Sequence, residues 1–280
     1  MTQRWAWLIG QPVAHSLSPA LHNAAFAAAG LDAQYSVRET SAEELPAVID
    51  ALRAPDCLGA NVTAPHKRTA VDLLDDLSDA ARAIGAANTI VKRGADLLGD
   101  NTDARGLERW MRVGGVDVRG RTALVLGGGG AARASVWALA QSGASCIEVL
   151  NRTETHVHEL IEVLQPRVPG AVLRAGPLHD AAAPHDDAYA VVVNATSLGH
   201  HGGAPVVHPS CYSRESVALE LVYNPPLTGF MRAAQEAGAG RVENGLGMLV
   251  QQAALAFECW TSQPAPLDAY ERVGREAVRR

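Results

Sequence analysis

A run of four glycines, Gly127 to Gly130, constrains the fold of this 280-residue chain more than any other feature. The apolar segment Thr122 to Leu126 precedes the run and predicts a buried strand, and the alanine-rich segment Ala131 to Gln141 follows it and predicts a helix. A glycine turn between a strand and a helix is typical of the dinucleotide-binding fingerprint, in which Gly127, Gly129 and Ala132 take the three small-residue positions. No Gly-Lys-Ser/Thr follows, which excludes a P-loop. A glycine loop without a ligand is the less favoured alternative.

The rest of the chain alternates short apolar runs with helical patterns, which predicts parallel α/β architecture in two units with a boundary near residues 100–105. Ser18 and Pro19 are expected to open a helix, with Ser18 as its N-cap, and a helix is expected after Pro65. The other predicted elements are strands at Trp5–Ile9, Gln34–Arg38, Cys57–Thr63, Cys146–Leu150, Val191–Val193 and Ala218–Val222, helices at Glu43–Leu52 and Leu246–Trp260, a hairpin at Asn88–Lys92 and Asp96–Gly99, and a loop at Ala181–Asp187.

Composition excludes several classes of protein. Hydrophobic residues make up 48% of the chain and charged residues 19%, which argues against a disordered or coiled-coil chain. The net charge of −6 and the absence of a long basic run argue against nucleic-acid binding. No apolar stretch is long enough for a membrane span or a signal peptide, and the four cysteines are scattered. We therefore expect a cytoplasmic protein without disulfides, and we expect no metal site because the paired histidines His200-His201 and His156-x-His158 lack accompanying carboxylates or cysteines.

The end of the strand after the glycine turn predicts which dinucleotide binds. NAD sites usually place an acidic residue there to bind the ribose 2′-hydroxyl, but this chain has Asn151-Arg152-Thr153. The Arg152 guanidinium can pair with a 2′-phosphate, which a carboxylate would repel. We therefore expect NADP rather than NAD; the alternative is that Arg152 is a solvated surface residue.

Polar side chains cluster where predicted strands end, which is where ligands bind in open α/β sheets. One cluster contains Ser16 and Ser18, whose hydroxyls together could hold a carboxylate. A second contains Lys67, an unfavourable residue near the start of a helix, which suggests another role. Gln252 is the only polar side chain in an apolar helical stripe, so its amide needs partners from the backbone or from a polyhydroxylated ligand.

Taken together, these residues resemble the shikimate dehydrogenase family. The resemblance extends from Gly10 to Trp260, and the order and spacing of its motifs make it specific. The motifs are PVAHSLSP (12–19), GANVTAPHK (59–67), ANT (87–89), NTD (101–103), GGGGAA (127–132), NRT (151–153), NATS (194–197), VYNP (222–225) and NGLGMLVQQ (244–252).

The resemblance implies an NADPH-dependent reduction of 3-dehydroshikimate to shikimate, in the biosynthesis of chorismate and aromatic amino acids. It implies a substrate-binding catalytic domain of residues 1–102 and 245–280, to which the C-terminal helix returns, and a Rossmann-type doubly wound NADP-binding domain of residues 103–244. Lys67 and Asp103 correspond to the catalytic pair. The residues implied on the substrate side are Ser16, Ser18, Asn61, Thr63, Asn88, Asp103, Tyr223 and Gln252. Those implied on the cofactor side are Gly127, Gly128, Gly129, Gly130, Ala131, Asn151, Arg152, Thr153, His156, Leu221 and Gly245.

The chain departs from the family pattern at four places. His156 stands where a second basic residue often follows the NRT motif, which bears on the strength of NADP binding. Glu220 replaces a common Asp, Ala104 replaces a usual Gly, and Ala64-Pro65-His66 replaces Val-Pro-Phe. None of these changes removes a catalytic group.

Three alternatives stay open on the sequence. A quinate/shikimate dehydrogenase, with broader substrate or NAD use, shares the fold and the Lys-Asp pair. A non-catalytic, cofactor-sensing regulator could share the fold, although Lys67 and Asp103 are both retained. Another two-domain dehydrogenase, such as a methylenetetrahydrofolate enzyme, would not account for the HSLSP and NTD motifs. The sequence allows a monomer or a homodimer.

Overall fold

The structure is a computed structural model and describes residues 3–278. The chain divides into two compact units. One unit comprises the chain up to Gly106 together with the chain from Leu249 onward, and the other comprises Leu107–Met248.

The first unit contains a six-stranded mixed sheet in the order β2-β1-β3-β5-β6-β4. Strands β1, β2 and β3 are parallel. Strand β5 runs antiparallel to β3 on one side and to β6 on the other, and β5 and β6 form a hairpin. Consequently the carboxyl ends of β1, β3 and β6 and the amino end of β5 lie along one edge of this sheet. The strands are β1 (Arg4–Gly10), β2 (Ala33–Glu39), β3 (Cys57–Val62), β4 (Asp76–Leu77), β5 (Thr89–Arg93) and β6 (Asp96–Asp100).

Helices cover both faces of this sheet. Helix α1 (Ser18–Ala28) packs on one face with the C-terminal helices, in a cluster that includes Leu21, Phe26, Phe257 and Tyr270. Helix α2 (Leu45–Ala51) packs on the other face around Leu45 and Ile49. The remaining elements up to residue 113 are a 3₁₀ turn at Thr69–Leu73, α3 (Asp79–Ile84) and α4 (Thr102–Val113).

The second unit contains a six-stranded sheet in which every strand is parallel, in the order β12-β11-β10-β7-β8-β9. The strand order reverses between β7 and β10, and in open parallel sheets ligands bind at such a switch point, outside the carboxyl ends of the strands. The strands are β7 (Thr122–Leu126), β8 (Cys146–Asn151), β9 (Val172–Pro177), β10 (Val191–Asn194), β11 (Val217–Glu220) and β12 (Arg241–Glu243).

Apolar clusters on both faces of this sheet form the core of the second unit. Its central strands are continuously buried, as expected for a parallel sheet covered on both sides. The helices from residue 130 onward are α5 (Gly130–Gln141), α6 (Glu154–Leu164), α7 (Gly229–Glu236), α8 (Leu246–Thr261) and α9 (Leu267–Val278). From Leu249, α8 belongs to the first unit, so the predicted return of the C-terminal helix and the α/β fold class are confirmed. No helix among residues 3–278 is long and apolar enough to cross a membrane.

Two local predictions were wrong. The segment after Pro65 forms a turn and a short 3₁₀ helix rather than an α-helix. Its backbone carbonyls are used elsewhere, since Gln11 donates to the Ala64 carbonyl and Ala87 donates to the Lys67 carbonyl. In α1, Leu17 holds the N-cap position and Ser18 is the first helical residue.

Candidate active site

Lys67 and Asp103 form an ion pair at the edge of the first sheet where β3 and β6 end. Lys67 lies in the turn after β3, and Asp103 lies in the first turn of α4, directly after β6. The Lys67 Nζ is 2.5 Å from the Asp103 Oδ2, and the two side chains are 17% and 10% exposed. A charged donor held against a carboxylate in a largely buried position can pass a proton to a bound ligand while its own charge is balanced.

The carboxamide of Asn88, which precedes β5, is held in one orientation. Its Oδ1 accepts hydrogen bonds from the Thr102 backbone N–H at 2.7 Å and from the Thr102 and Thr89 hydroxyls at 3.1 Å each. Its Nδ2 donates to the Gln252 Oε1 at 3.4 Å. The oxygen of Asn88 is therefore fully used, and the amide can offer a ligand only an N–H.

The carboxamide of Asn61 has the opposite polarity. Its Nδ2 donates to the Asn88 backbone carbonyl at 3.2 Å and to the Thr89 Oγ1 at 3.1 Å, and its Oδ1 accepts from the Tyr35 hydroxyl at 2.9 Å. Because the Asn88 carbonyl can only accept, the nitrogen of Asn61 must face it, which fixes the orientation of the amide. Both N–H groups are then used, so Asn61 can offer a ligand only an acceptor.

The remaining residues implied on the substrate side are divided between the units. Ser16 and Ser18 are adjacent, with the Ser16 Oγ donating to the Ser18 Oγ at 3.2 Å. Thr63 follows β3, and its methyl group would be 2.3 Å from a Cβ built at Gly10, so the segments after β1 and β3 are in close contact. Gln252 lies on α8 within the first unit and donates to the Leu249 carbonyl at 3.0 Å. Tyr223 lies in the second unit, three residues beyond β11.

The glycine turn of the second unit contacts the neighbouring strand at the switch point. Gly127 has φ +124°, and a Cβ there would be 2.9 Å from the Ala195 carbonyl beyond β10, so conformation and space both require glycine. Among residues 3–278, no atom beyond the adjoining residues lies within 4 Å of a Cβ built at Gly129. The chain begins α5 at Gly130 without a side-chain cap, so the first N–H groups of a 12-residue helix point into this space.

The residues after β8 form the other side of this site. Asn151 and His156 pack against Gly128, and Arg152, Thr153 and His156 are exposed. Arg152 also lines a groove of about 610 Å³. Open space at a helix N-terminus, an exposed guanidinium and the lack of a carboxylate at 151–153 fit the pyrophosphate and 2′-phosphate of NADP. Gly245 packs against the carbonyl of Leu221, which brings these two predicted residues together in the second unit.

Glu220, one of the departures from the family pattern, is fully buried at the end of β11. It accepts hydrogen bonds from the Asn194 Nδ2 at 2.8 Å, the Thr228 hydroxyl at 2.9 Å and the Val222 N–H at 3.1 Å. Burial raises the pKa of this carboxyl above its usual value, and the three donors oppose the rise. Glu220 therefore joins the end of β10 to the segment between β11 and α7.

Comparison with known proteins identifies the family. A model described as the shikimate dehydrogenase substrate binding domain matches residues 8–90, and one described as the shikimate 5′-dehydrogenase C-terminal domain matches residues 245–273. A curated relative from Anaeromyxobacter dehalogenans, named shikimate dehydrogenase (NADP(+)), is 43% identical over 259 residues, which cover 92% of this chain and 91% of the relative. The chain belongs to the shikimate dehydrogenase family.

Solved structures extend the similarity over the whole fold. Shikimate 5-dehydrogenase from Thermus thermophilus, in complex with NADP(H) and shikimate, is 37% identical with a TM-score of 0.84 and covers 98% of this chain and 99% of its own. A ligand-free 5-ketofructose reductase of Gluconobacter sp. strain CHM43 is 28% identical with a TM-score of 0.88, and covers 99% of each chain. Since the same fold occurs in reductases with different names, the substrate has to be argued from the residues of the site.

Sequence reasoning missed the residues that hold the shikimate dehydrogenase motifs in place. Tyr35, Thr89 and Thr102 orient the two asparagine amides. Thr89 and Thr102 lie inside the ANT and NTD motifs but received no role of their own, and Tyr35 lies outside every motif. Gly106 in α4 did carry a signal, since a glycine inside a helical pattern often marks a close packing contact. A Cβ at Gly106 would be 2.7 Å from the Cβ of Gln252.

Proposed function

We propose that this chain catalyses the reversible, NADPH-dependent reduction of 3-dehydroshikimate to shikimate in chorismate and aromatic amino-acid biosynthesis. The observation that carries the proposal is the Lys67–Asp103 pair, with its 2.5 Å contact beside the fixed amides of Asn88 and Asn61. Membership of a family whose curated relatives are named NADP-dependent shikimate dehydrogenases supports it. A non-catalytic regulator would have no need for this pair.

The first unit binds the substrate. The adjacent hydroxyls of Ser16 and Ser18 hold its carboxylate. Asn88 donates an N–H to a ring hydroxyl oxygen and Asn61 accepts from a ring hydroxyl, while Gln252 and Thr63 complete the binding residues of this unit. The opposite polarity of the two amides supports selection of a polyhydroxylated ring.

Lys67 is the general acid. As the carbonyl at C3 is reduced, negative charge develops on its oxygen, and the Lys67 Nζ donates a proton to that oxygen. Asp103 orients the ammonium and balances its charge, and in the oxidation direction Lys67 takes the proton back. When bound, the cofactor supplies the hydride to C3.

The second unit binds NADP. The glycine turn from Gly127 to Ala131 and the N-terminus of α5 hold the pyrophosphate, and Arg152 with Asn151, Thr153 and His156 holds the adenosine 2′-phosphate. Leu221 and Gly245, which are in contact, line the nicotinamide side. We place the enzyme in the cytoplasm as a monomer or homodimer; its four free cysteines suit a reducing compartment.

A spectrophotometric assay tests this function. The absorbance of the reduced nicotinamide is followed with shikimate or quinate as substrate and NADP⁺ or NAD⁺ as cofactor, in all four combinations. We expect shikimate with NADP⁺ to give the highest kcat/KM. Absence of turnover in every combination by folded protein would overturn the proposal, and a preference for quinate would assign the chain to quinate/shikimate dehydrogenases.

A further inference from the structure

The groove beside Arg152 contains two opposite charges. It has a volume of about 610 Å³, and the side chain of Glu154 lines it together with Arg152. We call it the Arg152 groove. Its other lining residues belong to the segments 177–182 and 198–206.

Neither of these charges is neutralised within the part of the chain that the structure describes. Within residues 3–278, Arg152 and Glu154 form no ion pair within 4 Å, either with each other or with another residue. Other exposed arginines do form ion pairs; Arg82, for example, is 2.7 Å from Asp76. Glu154 is the first residue of α6, and the Thr153 side chain does not cap that helix. A ligand group in the Arg152 groove therefore meets a guanidinium and a carboxylate that act on it separately.

A 2′-phosphate distinguishes NADP from NAD by about two negative charges. Arg152 attracts this group through charge-assisted hydrogen bonds, and Glu154 repels it across the same groove. NAD carries only a hydroxyl at the ribose 2′ position, so the Glu154 carboxylate lowers the affinity for NADP and not that for NAD. His156, in place of a second basic residue, does not supply the permanent positive charge that would offset this repulsion.

Resting on the proposed function, we propose that Glu154 is a specificity-determining residue that reduces the preference of this enzyme for NADP over NAD. A phosphate dianion about 7 Å from an exposed carboxylate, in a water-like dielectric, loses about fivefold in affinity at an ionic strength of about 0.01 M and about twofold at physiological ionic strength. Removal of the Glu154 charge raises the affinity for NADP by the same factor and leaves the affinity for NAD unchanged.

The test compares Glu154→Gln with Glu162→Gln. Both substitutions remove one exposed carboxylate from α6, but Glu162 does not line the groove. Isothermal titration calorimetry of the full-length enzyme with NADP⁺ and with NAD⁺ gives dissociation constants without turnover. We expect Glu154→Gln to lower the Kd of NADP⁺ about fivefold at an ionic strength of about 0.01 M and about twofold at physiological ionic strength. Glu162→Gln should leave both constants unchanged.

Two results with Glu154→Gln and Glu162→Gln would overturn the inference. One is an equal change of the NADP⁺ Kd in both variants, which would reflect only net charge. The other is an equal gain for NADP⁺ and NAD⁺ in Glu154→Gln, which would reflect a general change in the site. Arg152→Gln serves as a positive control. A selective loss of NADP⁺ affinity in this variant places the 2′-phosphate in the Arg152 groove. If Arg152→Gln keeps its NADP⁺ affinity, the role of Glu154 is refuted as well. Failure of the proposed function can be distinguished from failure of this inference, because the wild-type enzyme would then not oxidise shikimate with either cofactor.

Discussion

Substitution of Gly106 by alanine tests whether the crossing of α4 and α8 sets the position of Gln252. A Cβ at Gly106 would be 2.7 Å from the Gln252 Cβ and 2.9 Å from its Cα and backbone N, all closer than ordinary van der Waals contact at 3.4 Å or more. Two of these three atoms are backbone, so a rotamer change of Gln252 cannot relieve the clash. We expect α8 to move away from α4 by roughly 0.5 Å at this point, since packed cores yield only slightly.

The effect on stability combines two terms of opposite sign. Overpacking of a close contact costs about 1–3 kcal/mol. Replacement of glycine by alanine inside a helix contributes about 1 kcal/mol in the stabilising direction. The net loss in the free energy of unfolding is therefore about 0–2 kcal/mol, and the variant should fold.

The effect on activity should be larger. The Gln252 Oε1 is already 3.4 Å from the Asn88 Nδ2, so a further displacement breaks that hydrogen bond. Since a misplacement of 1 Å can cost about 10²-fold in rate, we expect kcat/KM for shikimate to fall about tenfold. The Kd of NADP⁺, measured by calorimetry, should stay unchanged.

A double-mutant cycle with Gln252→Ala provides the decisive assay. If Gly106 acts through the Gln252 carboxamide, Gly106→Ala should lower kcat/KM in the wild-type background and have little further effect in Gln252→Ala. The same loss in both backgrounds would show that Gly106 does not act through Gln252, and so would a wild-type kcat/KM in Gly106→Ala itself.

Two further predictions concern the cofactor and the buried core. Arg152→Ala should raise the KM for NADP strongly and leave that for NAD nearly unchanged, and an equal effect on both in steady-state assays would exclude the 2′-phosphate role. Burial lowers the pKa of His22 from 6.5 to about 3, with Asn61 opposing the shift, so the folded state holds this ring neutral. The unfolded chain binds a proton below pH 6.5 and the folded chain does not, so His22 should cost the protein about 2 kcal/mol of stability between pH 7 and pH 5. Urea denaturation of His22→Gln should lack this part of the pH dependence; an unchanged slope would show that His22 titrates normally in the folded protein.

Much of the second unit could be predicted from sequence because its signals are local. A buried apolar strand, a glycine run and a helix follow one another within about twenty residues, and the structure places them at Thr122–Leu126 and Gly130–Gln141. Strand β12 was missed because it is three residues long and only partly buried, without an apolar run. Its pairing with β11, rather than its own composition, makes it a strand.

The candidate site shows the limit of sequence reasoning more clearly. The motifs identified Lys67 and Asp103 as a pair, and the structure brings them into contact across 36 positions of chain. The donor and acceptor roles of Asn88 and Asn61 depend on Thr89, Thr102 and Tyr35. These residues meet only through the register of β1, β2, β3, β5 and β6. A single sequence carries no information on that register beyond the turn of the hairpin.

The kinetics of Lys67→Ala show whether the Lys67 ammonium is the proton donor. With saturating NADP⁺ and shikimate, we expect kcat to fall by at least ~10², with a smaller change in the KM for shikimate, because the proton donor is lost while the binding residues stay in place. Near-normal kcat in a folded Lys67→Ala enzyme would contradict the assignment of Lys67 as the acid.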